Sequence, residues 1–266
     1  MIDFENKVVW ITGASSGIGE ATAYEFAKKN VKLVLSARRE KELERVKLKT
    51  GLAPENVYVL PMDAADIDTF DDLTKKVIDR FGKIDLLYNN AGVSQRSFIL
   101  ETDISVYKRM LDIDLLSVIA LTKSVLPYMV KRQQGHVAAT SSVAGLVATP
   151  GRSGYAAAKF GLRGFYDAVR AEMFDHNIGV TVICPGYIKT DISKNALSAD
   201  GSKYGIMDNN QMNGLSAESC AKQIFKAISK NKNEVYIGGF KEVAGVYLKR
   251  FLPGLLSKIV RKQAPK

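Results

Sequence analysis

Tyr155 and Lys159 lie four residues apart in Ser153–His176, a stretch whose pattern predicts a helix, so both side chains share one face. Such a pair most often only packs or faces solvent. Ser142 gives it chemical meaning, standing thirteen residues before Tyr155 at the end of the predicted strand His136–Thr140. A hydroxyl, a phenol and an ammonium group together suit proton transfer at a carbonyl or alcohol oxygen: a forming alkoxide needs an acid, and the reverse step needs a base. A free phenol titrates near ~10, so only about one in a thousand is ionised at neutral pH. Working there takes ~3 units of help, roughly 4 kcal/mol of differential stabilisation, and a neighbouring cation is a source of it.

The turn Thr12-Gly13-Ala14-Ser15-Ser16-Gly17-Ile18-Gly19 is the second candidate. It follows an apolar run, Lys7–Thr12, and enters the predicted helix Ile18–Lys29. Glycines let the backbone turn tightly and approach a pyrophosphate, while a helix N-terminus offers unpaired N–H donors and the positive end of its dipole. The spacing is G-x-x-x-G-x-G, and its place after the first strand favours dinucleotide binding over a plain strand–helix turn. The next strand, Val31–Ser36, ends in Ala37-Arg38-Arg39 with no acid before Glu40. An acid there accepts from the adenosine ribose of NAD, whereas NADP needs a cation for its 2′-phosphate. Arg38 is the expected phosphate ligand, with Arg39 as support or stacking neighbour and Ser15 adding a hydroxyl. The plain alternative is a solvated loop that happens to carry two arginines.

These residues need a scaffold that gathers strand ends. Further strands are predicted at Val57–Leu60, Ile84–Tyr88, Val180–Cys184 and Glu234–Ile237, and helices at Glu40–Lys49, Asp66–Phe81, Ile104–Arg132 and Ala217–Ser229. Such alternation implies an α/β fold: a single Rossmann-type, doubly wound, mostly parallel sheet of about seven strands with helices on both faces. With no internal repeat or Pro/Gly-rich linker, residues 1–240 read as one cofactor-binding and catalytic domain that includes a substrate loop at 191–216. Residues 241–266 read as its helical extension.

Charge and composition narrow the function. The 266 residues carry 38 Lys/Arg against 28 Asp/Glu, a net +10. Lys241, Lys249, Arg250, Lys258, Arg261, Lys262 and Lys266 against Glu242 put +6 of this in the last 26 residues. Two cysteines, Cys184 and Cys220, and two histidines, His136 and His176, exclude a disulfide framework and a zinc cluster, so no metal is expected. Met1–Lys7 lacks the basic and apolar regions of a signal peptide, and no run reaches the ~18 uncharged apolar residues of a membrane span. A cytoplasmic protein is expected.

Five landmarks then occur in order: TGASSGIG, Asn89-Asn90-Ala91-Gly92 after the fourth strand, Ser141-Ser142 after the fifth, Tyr155-Ala-Ala-Ala-Lys159, and Pro185-Gly186-Tyr187-Ile188-Lys189-Thr190 after the sixth. Together they resemble the short-chain dehydrogenase/reductase family, and Leu121–Thr190 with the Leu-rich C-terminus is most similar to its member 7 branch. The resemblance implies Tyr155 as general acid/base and Ser142 as donor to the substrate oxygen. It implies that Lys159, with an oxidised nicotinamide, favours the ionised phenol and that Lys159 also holds the nicotinamide ribose. Ser142 is preferred to Ser141 by spacing, and because neighbouring strand residues point to opposite faces. Gly13, Ser15, Ser16, Gly17, Ile18 and Gly19 would border the cofactor's phosphates. Asn90 and Ala91, with Gly92 in the same motif, would line the adenosine ribose. Ile188 and Thr190 would meet the nicotinamide carboxamide, along a wall shaped by Pro185 and Gly186. Asp63 would address the adenine amine, or equally cap a helix starting near Asp66.

One position departs from the family pattern. The family commonly has an Asn on the long helix before the fifth strand, holding a water that contacts the lysine; matching Leu115–Thr122 puts Asp114 there. Asp is nearly isosteric with Asn but anionic and acceptor-only. It either holds the relay water or pulls on Lys159; in a register shifted by a turn it lies elsewhere.

Asp191–Ser216, with Tyr187 at its base and Leu197, Tyr204, Met207 and Met212 among polar residues, is expected to cover the substrate as a lid. Beyond Pro253-Gly254, the residues Leu255, Leu256, Ile259 and Val260 form an apolar stripe opposite Lys258, Arg261 and Lys262. That stripe reads as a helix docked on the domain or a second subunit, or as a basic amphipathic helix on anionic lipid. Nucleic acid is not an expected partner, since no base-stacking aromatics accompany the charge. The expectation is a homo-oligomeric NADP(H)-dependent carbonyl reductase, reversible as an alcohol dehydrogenase, acting on an apolar ketone or aldehyde. By resemblance alone, that substrate is steroid-, retinoid- or lipid-like. Rivals are an NADP-binding regulatory protein with weakened catalysis, to which Asp114 points, and an isomerase or dehydratase that recycles its nucleotide.

Overall fold

The computed structural model describes residues 1–263; Lys266 of the basic tail lies outside the described residues. The strands are β1 (Val8–Thr12), β2 (Lys32–Ser36), β3 (Val57–Val59), β4 (Leu86–Asn89), β5 (Gly135–Thr140), β6 (Ile178–Pro185), β7 (Ile188–Lys189), β8 (Leu215–Ser216) and β9 (Glu234–Ile237). The helices are α1 (Gly17–Ala27), α2 (Glu40–Lys49), α3 (Phe70–Phe81), α4 (Ile104–Leu111), α5 (Ser117–Arg132), α6 (Ser153–Glu172), α7 (Asn209–Met212), α8 (Ala217–Ser229), α9 (Phe240–Phe251) and α10 (Pro253–Val260).

Seven strands form one sheet in the order β3-β2-β1-β4-β5-β6-β9, and every neighbouring pair is parallel. The chain winds outward from β1 to β3, returns to β4, and winds the other way. That reversal leaves a crevice beyond the carboxyl ends of β1 and β4, where ligands of open α/β sheets bind. Alternation along each strand serves both faces. Trp10, Leu87 and Val137 pack with Phe70, Val77, Val118, Leu121 and Leu162 of the helices α3, α5 and α6. Val9, Ile11, Leu33 and Leu86 pack on the other side with Phe26 of α1 and Ile224 and Ile228 of α8. With both faces covered, the strands are near-continuous apolar runs, the pattern that made them legible.

Three elements differ from expectation. The long helix Ile104–Arg132 is interrupted by a wider π turn at Asp112–Leu116. By length and composition it is the one helix among the described residues long and apolar enough to cross a membrane, although Lys108, Arg109, Asp112, Asp114 and Lys123 interrupt it, so no uncharged apolar run of ~18 residues occurs in it, as expected. In the fold its Val118, Leu121, Val125 and Met129 face the sheet. The segment Asp191–Ser216 contains the short α7 and ends in β8, which pairs in parallel with β7 just ahead of the segment. The helical extension expected over residues 241–266 starts at Phe240 and is split at Leu252 into two helices, α9 and α10.

Candidate active site

Thr12 closes β1 by turning its hydroxyl across the crevice, where Oγ1 accepts from the N–H groups of Asn90 and Ala91 at 2.9 and 3.0 Å. The Asn90 amide donates to the Thr12 carbonyl at 3.2 Å, and its oxygen accepts from the Thr140 hydroxyl at 3.1 Å. Asn90 therefore spends its side chain joining β1, β4 and β5, a floor for the crevice rather than a free ligand. Gly13 and Gly17 have φ of +65° and +58°, a region L side chains rarely adopt. A Cβ on Gly13 would stand 2.8 Å from the Ala91 Cα, and one on Gly17 3.1 Å from the Thr190 methyl. One on Gly19 would meet the Gly13 carbonyl. The turn, Ala91 and Thr190 are thus brought together around a backbone cradle that leaves room for no side chains and opens onto the start of α1. These residues fit a dinucleotide pyrophosphate.

Arg39 reaches this turn, donating from Nη2 to the hydroxyls of Ser15 at 3.1 Å and Ser16 at 3.3 Å. Arg38 is exposed beside it and has no hydrogen bond to the turn. Sequence reasoning missed Arg45: it donates to the Ser15 carbonyl at 3.3 Å while paired with Glu20 at 2.6 Å, which consumes its charge. Asp63 is exposed, its Oδ1 accepting from the Ala65 N–H at 3.0 Å. That bond closes a local turn, and regular helix begins only at Phe70, so the expected cap of a helix near Asp66 is not formed.

Across the crevice, α6 places Tyr155 and Lys159 against the end of β5. Both are buried, with the Lys159 ammonium 5.7 Å from the Tyr155 ring centre. Lys159 donates to the Thr140 carbonyl at 3.0 Å. Ser142 accepts from the Ala144 N–H at 3.1 Å and donates to the Pro185 carbonyl at 3.2 Å, and Ala144 packs with Tyr155. Ser141 points the other way, donating to the Lys159 backbone carbonyl at 3.0 Å. Asn89, the first residue of the Asn-Asn-Ala-Gly landmark, donates into the core to Thr122 and Tyr166 at 3.1 and 3.0 Å.

Asp114 lies where the matched register puts it, and closer to Lys159 than a water-mediated relay would require. Its Oδ2 is 3.4 Å from the Lys159 ammonium, and its Oδ1 accepts from the Val93 N–H at 2.8 Å. The π turn that breaks the long helix carries the residue, and Gly92 makes space for it: a Cβ there would stand 3.0 Å from Oδ1. Burial pushes the Asp114 carboxyl above the ordinary carboxylate range, against the pull of Lys159 and the Val93 N–H.

The segment Asp191–Ser216 is tied down at both ends of α7. Asp208 Oδ2 accepts from Arg96 at 3.0 Å and Arg152 at 3.2 Å, and Arg152 stacks 5.4 Å from the Tyr187 ring centre. Gln211 donates to the Ile188 carbonyl and, at 3.3 Å, to the Thr190 hydroxyl. Gly186 backs onto Glu242 of α9. None of Arg96, Arg152, Asp208 or Gln211 stood out in the sequence, because lone polar residues in a loop carry no period.

A parallel sheet with a glycine-rich cradle at its reversal defines a dinucleotide-binding protein of the Rossmann class. A family model described as short chain dehydrogenase matches residues 7–201. The chain belongs to the short-chain dehydrogenase/reductase family. It is 40% identical over 265 residues to dehydrogenase/reductase SDR family member 7B of Mus musculus, covering 98% of this chain and 82% of that one. It is 37% identical over 269 residues to member 7 of Homo sapiens, covering 99% and 79%. Among solved structures, a short-chain dehydrogenase/reductase from Burkholderia phymatum in complex with NAD is 25% identical with a TM-score of 0.84, over 96% of both chains. Levodione reductase is 27% identical with a TM-score of 0.79, over 91% of this chain and 99% of that one.

Proposed function

We propose that this oxidoreductase interconverts an apolar carbonyl compound and its secondary alcohol, with NADP(H) as hydride donor and acceptor. The observation that carries the reading is the gathering of Ser142, Tyr155 and Lys159 around the carboxyl end of β5, with Lys159 held by the Thr140 carbonyl at 3.0 Å. Tyr155 gives a proton to the carbonyl oxygen as it becomes an alcohol and removes it in the reverse direction. Lys159, a fixed cation near the ring, stabilises the phenolate half of that cycle. Ser142 turns its hydroxyl from the Pro185 carbonyl to the substrate oxygen, where charge develops. Arg38 and Arg39 hold the 2′-phosphate, Arg39 having its guanidinium already at the Ser15 and Ser16 hydroxyls. Ile188 and Thr190 hold the carboxamide edge.

Purified protein should oxidise NADPH in preference to NADH across a panel of ketones and aldehydes. Tyr155→Phe keeps the ring and removes the proton, so turnover should fall by at least ~10²–10⁴ while NADPH still binds. Turnover within a few-fold of wild type would assign the acid elsewhere. The buried Asp114–Lys159 pair favours a second reading, a regulatory nucleotide-binding protein with slow chemistry. That protein would bind NADPH tightly and consume it with no carbonyl in the panel.

A further inference from the structure

Helices α9 and α10 have two apolar faces, and the fold covers only one. Val246 and Leu256 are buried, packed with Val143, Leu146, Val147 and Tyr236 beside the Ser142 turn. The docked helix foreseen from the sequence is therefore present, yet it does not use up the apolar surface. Phe240, Tyr247, Phe251, Leu252, Leu255 and Ile259 remain 89, 55, 74, 54, 50 and 41% exposed. Six large apolar side chains within twenty residues make a patch that isolated surface residues do not explain. Lys241, Lys249, Arg250, Lys258, Arg261 and Lys262 accompany the patch, all exposed. Among the described residues none of the six is in a salt bridge. The one acid of the tail, Glu242, is turned away against Gly186, Gly238 and Gly239.

We infer that the α9–α10 face lies on an anionic lipid bilayer. The aromatic and leucine side chains enter the boundary between headgroups and acyl chains, and the cations meet lipid phosphates and carboxylates. Charge decides between occupants. A second copy of the chain would bring the same excess of cations against this one, whereas an anionic membrane is complementary to it. Docking in this way sets the Ser142 turn and the Gly186 wall next to the bilayer, since Val143–Val147 pack under α9 and α10 and Glu242 backs onto Gly186. An apolar substrate then has a short path from lipid to the site. The inference concerns the surface and holds whichever nucleotide or substrate the site takes.

The test is co-sedimentation of the full chain with vesicles of phosphatidylcholine alone, or with about 30 mol% phosphatidylserine. Wild type should partition onto the anionic vesicles and be released by ~1 M salt, where the screening length falls to about 3 Å. Each cation near the surface contributes about a fivefold gain in partitioning, so Lys249→Gln, Arg250→Gln and Lys258→Gln together should weaken it about 100-fold. Phe251→Ser with Leu255→Ser should also release the protein, with its melting temperature and nucleotide affinity retained. Failure of wild type to bind anionic vesicles at low salt would overturn the inference without recourse to any variant. So would equal binding to neutral and anionic vesicles, or a dimer in solution that Phe251→Ser dissociates.

Discussion

Replacing Asp114 by Asn tests how the buried carboxylate governs the neighbouring proton transfer. The Lys159 ammonium sits 5.7 Å from the Tyr155 ring centre and 3.4 Å from Asp114 Oδ2. A cation at the first distance favours negative charge on the phenol oxygen. At an effective dielectric of ~20, an ionised carboxylate just beyond the ammonium, at most about 9 Å from the ring, opposes that charge by roughly 2 kcal/mol. In the proposed oxidation Tyr155 acts as a base and shapes the oxidative limb of the pH–rate profile; Asp114 opposes it only when ionised, a form that burial disfavours and Lys159 favours. Asn keeps the shape and an oxygen for the Val93 N–H but removes the charge. Asp114→Asn should therefore move the oxidative limb about one unit toward lower pH and raise the rate near neutrality by up to about tenfold. The assay is the initial rate of alcohol oxidation against pH, with saturating cofactor and the best alcohol from the carbonyl panel. Superimposable limbs would show that Asp114 does not act on the tyrosine. A large loss of activity would show that the carboxylate has a catalytic role of its own.

Arg38→Ala and Arg39→Ala should each weaken NADPH by ~1.5–3 kcal/mol and leave NADH nearly unchanged, read by fluorescence titration; wild type binding NADH as tightly as NADPH would refute the assignment. Burial holds the His136 imidazole down at about 4, so between 6.5 and 4 the unfolded chain binds the extra proton. Its stabilising contribution is therefore complete above pH 6.5 and is lost as pH falls to 4. Urea titrations should show a loss of about 3 kcal/mol across that window, flattened in His136→Gln. Asp208→Asn leaves the buried Arg96 without its carboxylate, so it should cost about 2–3 kcal/mol and speed tryptic cleavage at the exposed Lys203 by at least tenfold. Unchanged cleavage would mean that the segment Asp191–Ser216 is held by other contacts.

Much of this molecule is local enough to be written in its sequence. A buried parallel sheet demands apolar strands, so β1, β2 and β4 stand out as runs, and the helices between them carry their own period. Tyr155 and Lys159 share a face because four residues make about one helical turn, and the glycines of the first turn mark a backbone that admits no side chain. The same logic put Asp114 on the long helix in the register matched to the family. What the sequence left open depends on distances between elements far apart in the chain. The π turn and the space at Gly92 set Asp114 directly against Lys159, where a helical wheel shows only neighbours on its own helix. Arg39, and not Arg38, bonds Ser15 and Ser16, contacts that span 24 and 23 residues of chain. Asp208 meets Arg96 and Arg152 across 112 and 56 residues. The tail shows the division most plainly: its apolar and basic residues can be counted along the chain. Which of them the body covers, and which remain exposed, is settled only when α9 and α10 pack against the Ser142 turn, because burial is a property of surfaces in contact and not of residues in order.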